Sequence, residues 1–181
     1  MGRNKALLPL GAATVLARVI TTARAVSSRV RLIANDAPTY ASFGLEVVPD
    51  RWPGGAALGG IGTALTHTTA DHALVMACDM PFLTPAFLAC LVALSSTADV
   101  VIPHTAEDGL HPLCAVYARA CLPFIERAVV ARRLKVVSFF AEVGVRQVDE
   151  AEMLALGHDP TQLANLNTPA EYERALREVG A

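Results

Sequence analysis

The sequence lacks the features of several protein classes. No apolar run reaches the roughly 20 residues that a membrane-spanning helix needs. The opening residues 1–11 do not resemble a secretory signal, because proline and glycine interrupt their short apolar part. Charge of one sign is also scarce, since 15 basic and 17 acidic side chains give a formal net charge of -2 at pH 7. We therefore predict a cytoplasmic protein with no nucleic-acid or membrane partner.

Several catalytic and cofactor motifs are missing as well. The chain contains no zinc-binding H-E-x-x-H, no phosphate-binding G-x-x-x-x-G-K-[ST], no G-x-S-x-G nucleophile elbow and no dinucleotide-binding G-x-G-x-x-G. Its four cysteines, Cys78, Cys90, Cys114 and Cys121, form no C-x-x-C pair. They are interpreted as buried, reduced thiols and not as a disulfide framework or a zinc site.

What the chain does contain is typical of a single α/β domain spanning 1–181. Its 181 residues are 53% hydrophobic and 18% charged, which excludes an intrinsically disordered chain. Short apolar runs alternate with segments of helical periodicity, and residues 72–77 form a nearly continuous apolar run that predicts a strand buried on both faces. We predict a doubly wound, three-layer fold with a mostly parallel sheet.

Polar residues follow three of the predicted strands: Asn35, Asp50 and Asp79. Ligands bind at the carboxyl ends of strands in open α/β sheets, although turns favour Asn and Asp for purely structural reasons. Asp79 is the strongest candidate because it directly follows the buried run. A carboxylate there needs a cation or backbone donors, and Mg²⁺ accepts one carboxylate together with substrate phosphates. The alternative is a turn or helix-capping aspartate.

Other candidates are weaker when each is taken alone. Lys5 lies in a glycine-containing amino-terminal stretch and could neutralise phosphate oxygens. The alternative is a solvated surface lysine. The pairs Gly54-Gly55 and Gly59-Gly60 allow close approach to a ligand or simply a flexible turn. His111 opens a strand, where it could contact a phosphate or remain an ordinary loop residue.

In combination, these patches resemble the molybdenum cofactor guanylyltransferases, the MobA-type nucleotidyltransferases. Residues 1–11 look like the second half of the family signature, which reads R-M-G-x-D-K and is followed by a leucine-rich turn. Cys78–Phe82 is similar to the metal-binding D-M-P of the family. Further matches, in order along the chain, are Asn35, Asp50 with residues 58–61, residues 111–117 (H-P-x-x-A-V-Y) and residues 165–171 (N-x-N-T-P-x-E). The resemblance covers nearly the whole chain and implies a Rossmann-like nucleotidyltransferase fold.

The resemblance also implies a reaction and a set of roles. GMP would be transferred from GTP to molybdenum-molybdopterin, with diphosphate released. Lys5 and Asp79 would be catalytic, with Mg²⁺ on Asp79, and the nucleotide would contact Gly2, Lys5, Asn35, Asp50 and Asp79. His111, Asn165 and Asn167 are weaker candidates for the acceptor side. An accessory GTP-binding protein and molybdoenzymes are the partners that the family suggests.

The chain departs from the family pattern at three places. Asn4 stands where the family usually has Asp, and Ala56-Ala57 replaces G-P. The first half of the signature, L-A-G-G-x-S-x-R, does not precede Met1, so we expect that the natural chain extends upstream and that its coding frame contains this segment. In its absence we expect a sheet divided by a gap of about two strand spacings, roughly 10 Å.

Two other functions stay open at this level. A cytidylyltransferase acting on the same cofactor would use CTP, but such relatives tend to carry D-x-D-T-P and D-Q-P patches. This chain has Asn165-Leu166-Asn167 and Asp79-Met80-Pro81, which favours GTP. An inactive paralogue or fragment that only binds nucleotide is the other alternative. A titration with GTP and Mg²⁺ on this chain and on an extended chain tests whether the chain as given has a competent nucleotide-binding site.

Overall fold

The computed structural model describes residues 4–180 and has an α/β architecture, as predicted. The strands in this part of the chain are β1 (Pro9–Leu10), β2 (Ala13–Thr14), β3 (Arg31–Ile33), β4 (Glu46–Val48), β5 (His72–Met76), β6 (Val100–Thr105), β7 (Gly109–Leu110), β8 (Cys114–Ala118) and β9 (Val145–Val148). The helices are α1 (Val15–Val26), α2 (Ala37–Tyr40), α3 (Ala56–His67), α4 (Pro85–Ala93), α5 (Leu122–Val130), α6 (Glu150–Ala155) and α7 (Pro169–Gly180).

The largest sheet is mixed, whereas the sequence predicted a mostly parallel one. β8 lies between β5 and β6 and runs antiparallel to both, while β9 runs parallel to β6. The chain reverses once after Thr105, in a hairpin at which Gly109 has a φ of +74°. Both β7 and β8 then run opposite to β6. Apolar runs report burial and not strand direction, so the sequence did not reveal this reversal.

A second, small sheet pairs β3 and β4 in parallel, with Arg31 opposite Glu46 and Ile33 opposite Val48. Among the strands of residues 4–180, none pairs this small sheet with β5. The separation agrees with the expectation of a divided sheet. Among the described strands, β5 therefore pairs only with β8. All five residues of β5 are half-buried, so the prediction of a strand buried on both faces is wrong.

Helices cover both faces of the mixed sheet, which gives the predicted three layers. Alternate side chains of β6 and β8, including Ile102 and Tyr117, point to one face of the sheet and pack against α3 and α5. The intervening side chains, including Val101 and Val116, pack against α4 and α6. This alternation follows from the two-residue period of a strand. In residues 4–180, no helix combines the length and apolar character needed to cross a membrane.

The cysteines are free thiols, but they are not all buried. Cys114 lies within β8 and Cys121 just after it, and both are fully enclosed. Cys78 is exposed and Cys90 half-buried. The expectation of four buried thiols is therefore wrong for Cys78, because the chain leaves the sheet at the end of β5 and turns outward there.

The glycines around α3 make room for Trp52. An added Cβ on Gly62 would lie 2.7 Å from Cζ3 of Trp52 and 3.0 Å from Cγ2 of Ile125, and one on Gly55 would lie 2.9 Å from the Trp52 carbonyl oxygen. The indole lies against these backbone positions and packs onto the core cluster of α3 and α5. Steric fit to Trp52 therefore accounts for Gly55 and Gly62 without any ligand.

A matched pair of substitutions tests this packing. Gly62→Ala places its new methyl group against Trp52 and Ile125, and we expect it to lower the free energy of unfolding by about 1–3 kcal/mol. Gly60→Ala lies on the same helix with no heavy atom within 4 Å of its added Cβ. It should raise the free energy of unfolding by about 0.5–1 kcal/mol, because alanine is the better helix former. Urea denaturation measures both, and equal effects would contradict the assigned role of Gly62.

Candidate active site

Lys5 is presented by a short 3-10 turn, Lys5–Leu7, near the start of the described chain. Asn4 caps this turn, since its Oδ1 accepts a hydrogen bond from the Ala6 N–H at 3.2 Å. The Asn4 side-chain amide also donates to the Tyr40 hydroxyl at 2.9 Å. Asn4 thus supplies the capping oxygen of the turn that presents Lys5.

The ammonium group of Lys5 is held by Asn167, a residue far away in sequence. Lys5 Nζ donates to the Asn167 backbone carbonyl at 2.8 Å and to its Oδ1 at 3.3 Å. A lysine ammonium has three donors, so these two contacts leave one for another acceptor. The structure therefore orients a half-buried Lys5, which is not the freely solvated side chain of the alternative interpretation.

Asp79 follows β5 and is tied to the same segment. Past the end of β5, the Ala77 N–H donates to the Leu113 carbonyl at 2.6 Å, and the Asp79 carbonyl then accepts the Leu166 N–H at 3.0 Å. The segment 165–167 therefore lies against both Asp79 and Lys5. Predicted residues from three distant parts of the sequence (Lys5, Asp79, and Asn165 with Asn167) are thus brought together at the end of β5.

Partial burial shapes the chemistry of Asp79. Desolvation raises the pKa of its carboxyl, opposed by a hydrogen bond from its own backbone N–H and by the nearby Lys5 ammonium, while Glu171 adds a smaller upward contribution. Within residues 4–180, no side chain donates a hydrogen bond to this carboxylate. A half-buried carboxylate so poorly compensated suits a cation.

A divalent cation fits this donor set only with help from a ligand. The described residues contain no group of three or more His, Cys, Asp or Glu side chains arranged to hold a metal ion. Magnesium is commonly held by one or two carboxylates, waters and substrate phosphates. Among the described residues, Asp79 therefore fits a cation site that a phosphate-bearing ligand would complete.

Glu171 fixes the segment that contacts Lys5. Its Oε2 accepts the N–H groups of Asn167 at 2.6 Å and Thr168 at 2.8 Å, and its own N–H donates to Thr168 Oγ1 at 3.2 Å. The reciprocal pair is a capping box at the start of α7. The pattern T-x-x-E signals that cap in the sequence, but nothing in the pattern links it to Lys5.

A cavity of about 610 Å³ opens beside this segment, within the size range of small-molecule sites. Its walls include Phe82, Thr105, Asn165, Asn167 and Glu171. Acidic side chains predominate elsewhere on the lining (Glu107, Asp108, Glu150, Asp159 and Glu178), with Arg174 as a cation among them. Both predicted acceptor-side asparagines therefore face a space large enough for a ligand.

Asn35 and Asp50 form a pair at the ends of β3 and β4. The Asp50 N–H donates to Asn35 Oδ1 at 2.8 Å. Oδ1 of Asp50 accepts from the Trp52 N–H at 3.0 Å and from Thr63 Oγ1 at 2.9 Å. Asp50 thus orders the turn that leads to Trp52. Gly2, the remaining predicted nucleotide contact, lies outside the described residues.

His111 lies behind the cavity wall. It is 7% exposed, and its Nε2 is 2.9 Å from Oγ1 of Thr105, a lining residue. Burial lowers its pKa, with a raising contribution from Asp108 and a lowering one from His104. The imidazole is therefore disposed to stay neutral, and its predicted acceptor contact would run through the Thr105 hydroxyl.

This burial gives a pH dependence of stability. A histidine whose pKa is lower in the folded state is protonated more readily in the unfolded chain, so its contribution to stability is present above about pH 6.5 and falls as the pH decreases. We expect the wild-type protein to lose more stability than His111→Gln when the pH is lowered from 7.5 to 5.5. Urea denaturation across that range measures the difference, and parallel curves for the two proteins would contradict the prediction.

The chain is similar to known proteins over nearly its whole length. Residues 1–148 match the MobA-like NTP transferase domain. The chain is 34% identical to the "Probable molybdenum cofactor guanylyltransferase" of Carboxydothermus hydrogenoformans, covering 98% of this chain and 89% of that protein. It is 32% identical to the molybdenum cofactor guanylyltransferase of Desulfosudis oleivorans, covering 99% and 89%.

Solved structures show the same fold. Molybdopterin-guanine dinucleotide biosynthesis protein A from Archaeoglobus fulgidus superposes with a TM-score of 0.83 at 23% identity, over 99% of this chain and 92% of that one. Rv0371C from Mycobacterium tuberculosis H37Rv, solved in complex with manganese, superposes with a TM-score of 0.67 at 23% identity, over 97% and 93%. The Rossmann-like nucleotidyltransferase fold expected from the sequence is thereby confirmed.

Proposed function

Because the chain belongs to the MobA-like NTP transferase family, we propose that it is a molybdenum cofactor guanylyltransferase, formed by one nucleotidyltransferase domain. It transfers GMP from GTP to molybdenum-molybdopterin and releases diphosphate. The relatives that carry this name span nearly the whole chain. The observation that carries the proposal is the convergence of Lys5 and Asp79 on the segment 165–167.

The chemistry requires little proton transfer from the protein. The nucleophile is a phosphate oxygen of the acceptor that is already ionised at neutral pH, so no general base is needed. Catalysis then depends on positioning the two substrates and on neutralising charge at the transferred phosphoryl group. Lys5 fits this task because Asn167 orients its ammonium and leaves one donor for a phosphate oxygen.

Asp79 is proposed to hold a divalent cation together with the phosphates of GTP, with magnesium as the expected ion. Its poorly compensated carboxylate supports this role, and manganese is present in the related structure from Mycobacterium tuberculosis. A bound divalent cation supplies charge neutralisation and alignment of phosphate oxygens. Asp79 therefore acts on the phosphates through the divalent cation that it would hold. Lys5 contacts them directly with its own positive charge.

The remaining predicted residues divide between the two substrates. Asn35 and Asp50 are proposed to contact the guanosine part, on the side of the small sheet. Asn165 and Asn167 are proposed to contact the acceptor from the cavity wall, with His111 acting through Thr105. An accessory GTP-binding protein and molybdoenzymes as partners, and a cytoplasmic location, belong to the same proposal.

The proposal is tested by assaying the purified protein with MgCl₂, GTP and molybdenum-molybdopterin. We expect diphosphate release equal to the amount of dinucleotide product, measured by a coupled assay and mass spectrometry. CTP at the same concentration should give a much lower rate. Equal or faster transfer from CTP would identify a cytidylyltransferase, and GTP binding without diphosphate release would identify a nucleotide-binding protein without transferase activity.

A further inference from the structure

Glu171 lies in the cavity wall but is not among the residues that the sequence assigned to a substrate, and its hydrogen bonds determine where Asn167 lies. Its carboxylate accepts two backbone N–H groups, from Asn167 and Thr168. The contact with Thr168 belongs to the ordinary capping box of α7. The contact with Asn167 extends one residue further, outside the helix, to the residue that holds the Lys5 ammonium.

The segment is also secured on its other sides. Leu166 donates its N–H to the Asp79 carbonyl at 3.0 Å, and its side chain is buried in a cluster with Leu10, Val15 and Ala175. The Tyr172 hydroxyl of α7 donates to the Pro9 carbonyl, which lies just after the Lys5 turn. α7 and the Lys5 loop are thus joined at two places, and Glu171 controls the one that ends at the ammonium group.

We infer that Glu171 is a positioning residue for Lys5: by fixing the Asn167 backbone, it sets the carbonyl and side-chain oxygens that aim the ammonium toward the nucleotide phosphates. The kinetic part of this inference rests on the proposed function, whereas the positional part concerns the protein alone. Because the contacts that fix Asn167 and Thr168 are made to backbone N–H groups, we expect an acceptor oxygen at this position to be enough for the positioning role.

The positional part is tested without substrate, because the chain contains just two lysines, Lys5 and Lys135. Trace acetylation followed by mass spectrometry gives the reactivity of Lys5 relative to the exposed Lys135 in the same molecule. We expect this ratio to rise about fivefold in Glu171→Ala, because Lys5 loses the hold of Asn167 on its ammonium group. A fivefold change in the fraction of free ammonium corresponds to the loss of about one hydrogen bond. It should stay at the wild-type value in Glu171→Gln, which retains an acceptor oxygen.

Asp149→Ala is the matched control for loss of a helix cap. Asp149 caps α6, where its Oδ1 accepts the Glu152 N–H at 2.8 Å. This variant removes a capping carboxylate of the same kind but should leave the acetylation ratio unchanged. Should Glu171→Ala fail to fold, Glu171→Asp withdraws the carboxylate by one methylene and should raise the ratio in the same direction.

The kinetic part is tested on kcat/KM for GTP. We expect Glu171→Ala to lower kcat/KM about tenfold, because the Lys5 ammonium would be misplaced in the transition state. Glu171→Gln and Asp149→Ala should remain within about twofold of the wild type. In a Lys5→Ala background, the further loss on adding Glu171→Ala should shrink to about twofold or less, because two residues that act in series are not additive.

The outcomes separate the two ideas. An unchanged acetylation ratio in both Glu171→Ala and Glu171→Asp overturns the inference, as does an undiminished tenfold loss in the Lys5→Ala background. If the wild-type protein transfers no nucleotide but the acetylation ratio rises as expected, the proposed function fails while Glu171 remains the residue that positions Lys5.

Discussion

Asp79→Asn is expected to abolish turnover and, at neutral pH, to raise the melting temperature of the protein. The activity should fall about a thousandfold or more, because the amide is a poor ligand for a divalent cation and the phosphates lose the neutralising charge. The stability should rise because burial raises the pKa of this carboxyl in the folded state. Ionisation of Asp79 therefore opposes folding, and asparagine cannot ionise.

The sign of the pH dependence follows from the same shift. A carboxyl whose folded pKa is raised contributes stability below its unfolded pKa, near 3.9, and that contribution is lost as the pH rises through the folded value. The difference in stability between Asp79→Asn and the wild type should therefore grow from pH 3 toward neutrality. Thermal denaturation at several pH values measures it.

Asp71→Asn provides the control for this prediction, since Asp71 is exposed and precedes β5 while Asp79 follows it. It should change neither activity nor the response to metal. With GTP present, Mg²⁺ or Mn²⁺ should raise the melting temperature of the wild type and of Asp71→Asn, but not that of Asp79→Asn. A normal metal response in Asp79→Asn would rule out Asp79 as the cation-holding residue.

Local signals in the sequence indicate where a helix begins when a single residue supplies the cap. Thr14 directly precedes an apolar helical run, the usual position of an N-cap, and its side chain accepts the Ala17 N–H at the start of α1. Thr84 and Pro85 likewise begin α4. The position of Asp79 after an apolar strand led to the prediction of a site at the end of β5, and the structure brings Lys5 and Asn167 to that end of the strand.

Properties that depend on distant parts of the chain were not predictable in this way. The antiparallel direction of β8 follows from the hairpin at Gly109, and the half-buried state of β5 follows from its lack of a second described neighbour. Gly62 was not linked to Trp52, since only the folded chain places the indole against α3. The contact between Lys5 and Asn167 joins residues 162 positions apart, and no local pattern encodes such a pairing.

Lys5→Ala should lower kcat by about 100- to 1,000-fold, the loss typical of one preorganised group that stabilises transition-state charge. Its effect on the free energy of unfolding should be small, because the hydrogen bonds that it loses are solvent-exposed. Lys135→Ala removes an exposed lysine far from the site in sequence and should leave kcat within about twofold of the wild type. Steady-state kinetics with saturating GTP and Mg²⁺ measure both values.

A second measurement distinguishes a role at the phosphates from a role in holding Asn167. The Lys5 ammonium lowers the pKa of Asp79, so its removal should shift the acid limb of the pH–rate profile to higher pH. Lys5→Arg keeps the positive charge and should leave that limb near its wild-type position, although its planar group cannot reproduce the ammonium geometry and kcat should still fall. If Lys5→Ala lowers kcat without moving the acid limb, the ammonium does not act on Asp79. If Lys5→Ala retains kcat, Lys5 serves only to join the N-terminal turn to α7.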